Sequence, residues 1–215
     1  MSNVLTISDS FEKIRTWAET YTHGIILRPP ASPEALENFQ DKSGLSLPED
    51  LRKLLLMADG ESRNSVGMIG NWRLMPIAEI QAVWGLLSKT DEKGAFSGLK
   101  PKSSPYISPN WWHSGWIPIV SSDTGDYFCL DTYPPDPKRF SQVILFMQSQ
   151  PERYLIAAGL DVWLDRIWHD LDSDRYQFDR EEGFHGEAFM WSSLEGKHYF
   201  DDIDGTLVVN HANHT

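Results

Sequence analysis

The sequence predicts an α+β fold, in which a mainly antiparallel β-sheet packs against N-terminal helices and a closing C-terminal helix. Three observations predict it: helical patterns fill the first 60 residues, strand-like apolar runs follow, and the most regular helical stripe comes after them. This order differs from the alternation of strands and helices in a parallel α/β sheet. We expect a single domain over 1–182 and a C-terminal extension over 183–215, for which a short hairpin is one interpretation.

Three helices are predicted in the first part of the chain, over 8–21, 32–44 and 47–60. In the first, apolar side chains recur at spacings of three and four residues, which lines one helical face. The second begins with a serine suited to the N-cap and ends at a glycine. The third is expected to begin at Pro48 and to stop at Gly60.

The pattern changes after the third helix. The segment 65–77 is short, apolar and broken by glycine, which predicts one or two strands. Pro76 then opens a helix predicted over 77–87. A long surface loop is predicted at 88–114, which is rich in Lys, Gly, Ser and Pro. Loops of that length are usually functional or mobile.

Two apolar runs, "WIPIV" at 116–120 and "YFCLD" at 127–131, flank a turn that contains Gly125. This arrangement predicts a β-hairpin. A third strand-like run at 141–147 extends the hairpin to an antiparallel meander. The closing helix is predicted over 159–171, where six apolar positions follow the helical template.

These elements resemble the SUKH superfamily, which includes fungal regulators of cell-wall assembly and bacterial immunity proteins that neutralise toxins. Four stretches carry the resemblance over roughly residues 8 to 175: "LPEDLRKLLLMADG" (47–60), "WRLMPIAEI" (72–80), "WIPIVSSDTGDYFCLD" (116–131) and "VWLDRI" (162–167). The resemblance implies a binding scaffold without known catalytic residues. The segment 88–114 departs from the compact family pattern and is a place where partner choice could differ.

Cys129 is the single cysteine and the first candidate for chemistry. It lies in mid-strand between Phe128 and Leu130, without a neighbouring base to activate a thiol. Strand alternation points it to the opposite face of the sheet from those two residues, a face that the closing helix is expected to cover. We interpret it as structural, since free cysteine is usually buried and inert.

Asp123 and Asp126 flank the same turn and are candidates for paired acid–base catalysis. Aspartate before glycine is also typical of a turn, because its side chain bonds to nearby backbone. The turn interpretation is favoured. No phosphate-binding loop, dinucleotide fingerprint or nucleophile elbow is present in the sequence.

The acidic segment from Asp170 to Glu181 places Asp170, Asp172 and Asp174 at the first, third and fifth positions of a calcium-loop pattern. Arg175 stands where that pattern requires glycine. We therefore expect an acidic helix end that serves partner binding, with weak calcium binding left open. The histidines near the C-terminus lack zinc-site spacing, and no metal or cofactor is expected.

Three tryptophans, Trp111, Trp112 and Trp116, lie close together in "WWHSGW". Exposed tryptophans can stack on a sugar or form an interface hot spot, and the other interpretation is that these three cover the edge of the sheet. The candidate contact residues for a protein partner are Trp111, Trp112, Asp170, Asp172 and Asp174.

Composition limits the function classes. A formal net charge of −12 repels nucleic-acid backbones and suits a basic protein partner. No membrane-span pattern or secretion signal is found, so a cytoplasmic location is expected. The leading hypothesis is a non-catalytic immunity protein that binds a toxin. The alternatives are a regulatory scaffold with several partners and a hydrolase that uses carboxylates in the 88–114 region together with Asp123 and Asp126.

Overall fold

The computed structural model describes residues 4–21, 24–70, 72–183 and 186–193, and it confirms the α+β fold. The helices in the described residues are α1 (Ile7–Tyr21), α2 (Pro33–Ser43), α3 (Glu49–Met57), α4 (Ile77–Glu92) and α5 (Leu160–Asp172). The strands are β1 (Arg73–Leu74), β2 (Lys102–Ser103), β3 (Trp116–Ser121), β4 (Tyr127–Asp131), β5 (Gln142–Phe146), β6 (Glu152–Ala157), β7 (Tyr176–Gly183) and β8 (Gly186–Ser193).

Six of the strands form one sheet in the order β1-β3-β4-β5-β6-β2. All neighbours pair antiparallel except β2 and β6, which pair in parallel. The predicted meander is therefore present as β3, β4 and β5. Two strands were not predicted from the sequence: β6, in which charged residues interrupt the apolar pattern, and the two-residue β2.

A separate hairpin is formed by β7 and β8. It begins at Tyr176, so it lies across the predicted start of the extension at residue 183. The division into 1–182 and 183–215 stays a prediction.

Local capping explains why α2 has the predicted limits. The Ser32 hydroxyl accepts the Ala35 N–H at 3.1 Å, and Gly44 takes a left-handed φ of 70° at the C-cap. By contrast, α3 ends at Met57, earlier than predicted, because Ala58 is already extended.

Gly60 has a role other than the predicted helix stop. Its φ is +63°, and a Cβ there would lie 2.5 Å from both the Met75 carbonyl carbon and the Pro76 nitrogen. Glycine is required at this position because the chain passes directly against the start of α4.

The sheet has a core on each face. On the first face, α1, α3 and α5 pack together over the strands, with Phe128 and Trp163 rings 4.6 Å apart. The second face is closed by a smaller cluster of buried residues: Leu87, Ile107, Trp112, Trp116, Cys129, Ile144 and Phe146.

The second core corrects two expectations. The segment 88–114 is not one surface loop, since α4 continues to Glu92 and the segment also contributes β2. It buries Ile107 and Trp112, so this segment covers the face that holds Cys129, in place of α5. The reason is geometric: α5 pairs with Phe128 on the first face, and alternation puts Cys129 on the other.

Arg153, on β6, binds the segment 88–114, which we call the covering segment, to the sheet. Arg153 is 2% exposed, and its guanidinium donates to the carbonyls of Trp111, Met147, Gln150 and Glu152. It also lies 4.9 Å above the Trp111 ring centroid. Burial lowers the pKa of Arg153 to about 10.

Candidate binding surface

Both aspartates of the turn between β3 and β4, Asp123 and Asp126, bind neighbouring parts of the chain. Asp123 pairs with Arg73 at 2.5 Å, and Arg73 also pairs with Glu79 at 3.1 Å. Asp126 accepts the backbone N–H of Gln148 at 2.8 Å, which ties the turn to the end of β5. Each carboxylate therefore holds a neighbouring segment, and the two do not form a catalytic pair in this geometry.

Cys129 is completely buried. Burial raises the pKa of its thiol well above the usual value, which keeps it protonated and poorly nucleophilic. This agrees with its interpretation as a structural residue.

The three acidic candidates at the end of α5 differ in their surroundings. Asp170 pairs with Arg175 at 3.3 Å and with Arg166 at 3.9 Å. Asp172 and Asp174 are exposed. They remain candidates for a partner surface.

The second half of the calcium-loop pattern forms a strand. In the described residues, β7 begins at Tyr176, directly after the turn that follows α5, where a calcium loop would be followed by a helix. In the part of the chain that the structure describes, no group of three or more His, Cys, Asp or Glu is placed to hold a metal ion. The C-terminal histidines lie outside the described residues.

The tryptophan cluster is mostly internal. Trp112 and Trp116 are fully buried, with ring centroids 5.9 Å apart, and Trp112 donates to the Ser88 hydroxyl at 3.3 Å. Trp112 therefore offers no surface to a partner, which corrects its assignment as a contact residue: its ring fills the second core against Phe146. Trp111 is half-buried against Arg153.

A set of aromatic and cationic side chains, some exposed and some half-buried, lies where the covering segment meets the connection from β4 to β5. We call it the aromatic patch and define it by Tyr106, His113, Tyr133, Arg139 and Phe140. Tyr133 is 68% exposed and Phe140 49% exposed. The Arg139 guanidinium stacks 3.8 Å above the Tyr106 ring centroid, and the His113 and Tyr133 rings stack at 5.1 Å.

Buried polar groups hold the aromatic patch in place. Gln142 donates from Nε2 to the Tyr106 carbonyl at 2.7 Å and to Asp131 at 3.0 Å. Asp131 in turn accepts the backbone N–H of Tyr133 at 3.0 Å. Burial raises the pKa of the Asp131 carboxyl. One buried pair thus positions both segments that carry exposed rings.

His113 connects the patch to the turn before β3. Its Nδ1 accepts the Gly115 N–H at 2.9 Å, so the neutral ring is required there. Burial lowers the pKa of His113, which favours that neutral form. The patch was not predicted from the sequence, although the three prolines between Tyr133 and Phe140 were a signal that this turn is rigid and bears exposed rings.

A groove lies between α2 and α4. The Phe39 and Trp84 rings meet edge to face at 6.3 Å, and beside them a groove of about 570 Å³ opens to solvent. Its lining includes Gly85 and Leu86, which we call the floor of the groove, and the two lysines Lys42 and Lys89. None of the helices in the described residues combines the length and apolar character needed to cross a bilayer.

Comparison with known proteins gives a family match. The profile of the SMI1/KNR4 family (SUKH-1) matches residues 30–166, more than half of the chain. The cell wall biosynthesis/cell cycle regulator smi1 of Schizosaccharomyces pombe is 23% identical over 82% of this chain and 38% of its own length. The glucan synthesis regulatory protein of Neurospora crassa is 23% identical over 81% of this chain and 40% of its own length.

The cell wall assembly regulator SMI1 of Saccharomyces cerevisiae is 23% identical over a shorter stretch, 38% of this chain and 17% of that protein. The chain thus spans about 40% or less of the length of these relatives. All three names describe regulators.

Proposed function

The chain belongs to the SMI1/KNR4 family (SUKH-1), and from this premise we propose that it is a non-catalytic regulator that binds protein partners through the aromatic patch. The observation that carries the proposal is the exposure of Tyr133 and Phe140 beside the stacked Arg139. Tyrosine and arginine are the residues most enriched at binding hot spots. We expect this binding to occur in the cytoplasm.

The rigidity of the patch supports the same proposal. The connection between β4 and β5 contains three prolines and a short 3₁₀ turn at Pro137–Arg139. Its ends are fixed by the buried Asp131 and Gln142. A rigid surface loses little conformational entropy on association, so exposed rings held in this way favour binding.

The test is a tagged pull-down with the Tyr133→Ala/Phe140→Ala variant, read by quantitative mass spectrometry. Proteins that bind through the patch should be recovered at least about tenfold less well than with the unchanged protein, since each hot-spot truncation costs about 2 kcal/mol or more. Val162→Ala is the matched control, because Val162 is an exposed apolar residue on α5, which packs on the first face of the sheet.

Recovery of the same partners in equal amounts by all three proteins would contradict the proposal. A loss with Val162→Ala as large as with the patch variant would place the binding surface elsewhere. Circular dichroism of each variant checks that the fold is intact, which we expect because both patch side chains are at the surface.

The second candidate is toxin neutralisation through an acidic surface, and charge is the observation that favours it. The chain carries a formal net charge of −12, and the segment 170–215 alone holds eleven acids against three bases. Asp172 and Asp174 are exposed at the start of that segment. Such a surface would attract a basic toxin and speed its association.

Toxin neutralisation is tested with Asp172→Asn/Asp174→Asn against Glu34→Asn/Glu37→Asn, which changes the same charge on exposed sites of α2. The two pairs should differ: the first should slow association with a co-expressed basic toxin and weaken its salt dependence, while the second leaves both nearly unchanged. Equal effects of the two pairs would mean that the toxin responds only to the net charge of the protein. Asp172 and Asp174 would then be rejected as contact residues.

A further inference from the structure

We propose that the groove between α2 and α4 binds an acidic peptide segment of a protein partner, with an apolar side chain of that segment on the groove floor. The juxtaposition that carries this inference is Gly85, at an open helix surface, in one groove with Lys42 and Lys89. The groove is distinct from the aromatic patch, so the inference goes beyond the proposed function.

The glycine is the first step. Gly85 lies in the middle of α4, where glycine weakens a helix relative to alanine. A Cβ at residue 85 would meet no atom within 4 Å, and the backbone there does not take a positive φ. The fold of this chain therefore gives no reason for glycine. Close approach of a second molecule gives one, because only glycine leaves the helix backbone open to contact.

The floor of the groove is the second step. Leu86 is 66% exposed, and Trp84 is half-buried with its indole N–H donating to the Ser114 carbonyl at 2.7 Å. The Trp84 ring is thus fixed in place as an apolar wall. A groove of about 570 Å³ has room for one or two apolar side chains of a peptide.

The charge is the third step. Within the part of the chain that the structure describes, neither Lys42 nor Lys89 forms an ion pair. Each lies in the last turn of its helix, and both line the same groove, Lys42 from α2 and Lys89 from α4. On a protein of net charge −12, two unpaired lysines around an apolar floor select a partner segment with carboxylates.

The experiment is selection from a random peptide library of about nine residues displayed on phage. Selection uses the unchanged protein, with counter-selection on Lys42→Glu/Lys89→Glu. We expect enriched peptides to combine Asp or Glu with a large apolar residue. Replacing their acids by the amides should weaken binding about tenfold or more, as should Lys42→Gln/Lys89→Gln, when affinity is measured by fluorescence anisotropy.

Two further variants separate the groove from its surroundings. Gly85→Leu fills the floor and should abolish peptide binding, while circular dichroism shows an intact fold. Gly85→Ala should raise the melting temperature of the protein by about 2–4 °C and still lower its affinity for the selected peptide. Lys100→Gln/Lys138→Gln makes the same charge change at exposed lysines outside the groove and should leave affinity unchanged.

Several outcomes would overturn the inference. The selection could yield no peptide whose binding depends on the two lysines, or it could enrich peptides without acidic residues. The Gly85→Leu variant could also bind the selected peptide as tightly as the unchanged protein does. A dimer of the unchanged protein that Gly85→Leu converts to a monomer would assign the groove to a second copy instead. Tyr133→Ala/Phe140→Ala leaves the groove intact, so the selected peptide should bind that variant normally. A failure of the proposal for the aromatic patch can therefore be told apart from a failure of the proposal for the groove.

Discussion

Arg73, on the short strand β1, reaches across to Asp123, fifty residues later in the turn between β3 and β4, at 2.5 Å. Arg73 is only 3% exposed and also pairs with Glu79 at the start of α4. A single guanidinium thus joins a sheet edge, a turn and a helix. Asp123 takes a left-handed φ of 64°, which aspartate tolerates better than most residues.

Replacing Arg73 by methionine should lower the free energy of unfolding by about 2–3 kcal/mol, because two carboxylates lose their shared partner. Asp123→Asn should cost about 1 kcal/mol or less, since the Asp123 side chain is 57% exposed and partly screened. Urea unfolding measures both. Arg63→Met, at an exposed arginine, is the control and should stay within about 0.5 kcal/mol. Equal costs for Arg73 and Arg63 would show that the network adds no stability.

Glu61 makes stability depend on pH. It is buried and accepts N–H bonds from Met68 and Leu74 and a hydroxyl bond from Ser65. Burial raises the pKa of Glu61 above its ordinary value of 4.5, so the folded state keeps a proton that the unfolded chain has released. The free energy of unfolding therefore falls as pH rises from 4.5 through the folded pKa.

Glu61→Gln isolates that dependence. The amide oxygen can still accept the two backbone N–H groups, and the amide nitrogen can donate to Ser65, so the fold should be preserved. The difference in stability in favour of the variant should grow from pH 4.5 upward and level off above the folded pKa. A difference that stays constant across that range would mean that Glu61 titrates normally.

His113 should act in the opposite pH direction. Burial lowers its pKa below the ordinary 6.5, so the unfolded chain takes up a proton first as pH falls. Stability should be lost as pH falls from 6.5 through the folded pKa, because protonation removes the Nδ1 acceptor for Gly115. Chemical denaturation over about pH 5–8 measures it, and His113→Asn should remove this part of the dependence. His169→Asn, on the exposed face of α5, should leave it in place.

Gly60 and Gly44 form a matched pair with similar φ and different surroundings. Gly44→Ala should cost about 1 kcal/mol, since φ is +70° and the added methyl group meets no atom within 4 Å. Gly60→Ala should cost about 3 kcal/mol or more, because the methyl group would overlap the backbone of residues 74–76. Urea unfolding of both variants gives the comparison. A similar cost at both positions would mean that the chain at 74–76 moves aside easily.

Local signals in the sequence predicted much of the fold. The ends of α2 followed from Ser32 and Gly44, and the β3–β4 hairpin followed from two apolar runs around Gly125, because these signals act within a few residues. The parallel pairing of β2 with β6 was missed because its partners are fifty residues apart and the two strands carry no local pattern.

The exposed residues were harder to predict from the sequence, because their exposure depends on contacts between segments that are distant in the sequence. Trp112 looks like an interface residue until the covering segment folds back and places it against Phe146. Tyr106 and Arg139 become neighbours when two distant segments meet, and the buried Gln142 helps to hold that contact by binding the Tyr106 carbonyl. Contacts that join distant segments decide which aromatic rings are buried and which face solvent.

Both outermost strands of the six-stranded sheet, β1 and β2, are two residues long. Strands that short leave few unpaired backbone groups for another chain to extend by hydrogen bonding, and long exposed borders are what permit aggregation. The sheet is therefore a poor template for fibril growth or for capture of a peptide as an added strand. A molecule that meets this six-stranded sheet would therefore contact side chains, because the sheet offers little free backbone at its two borders.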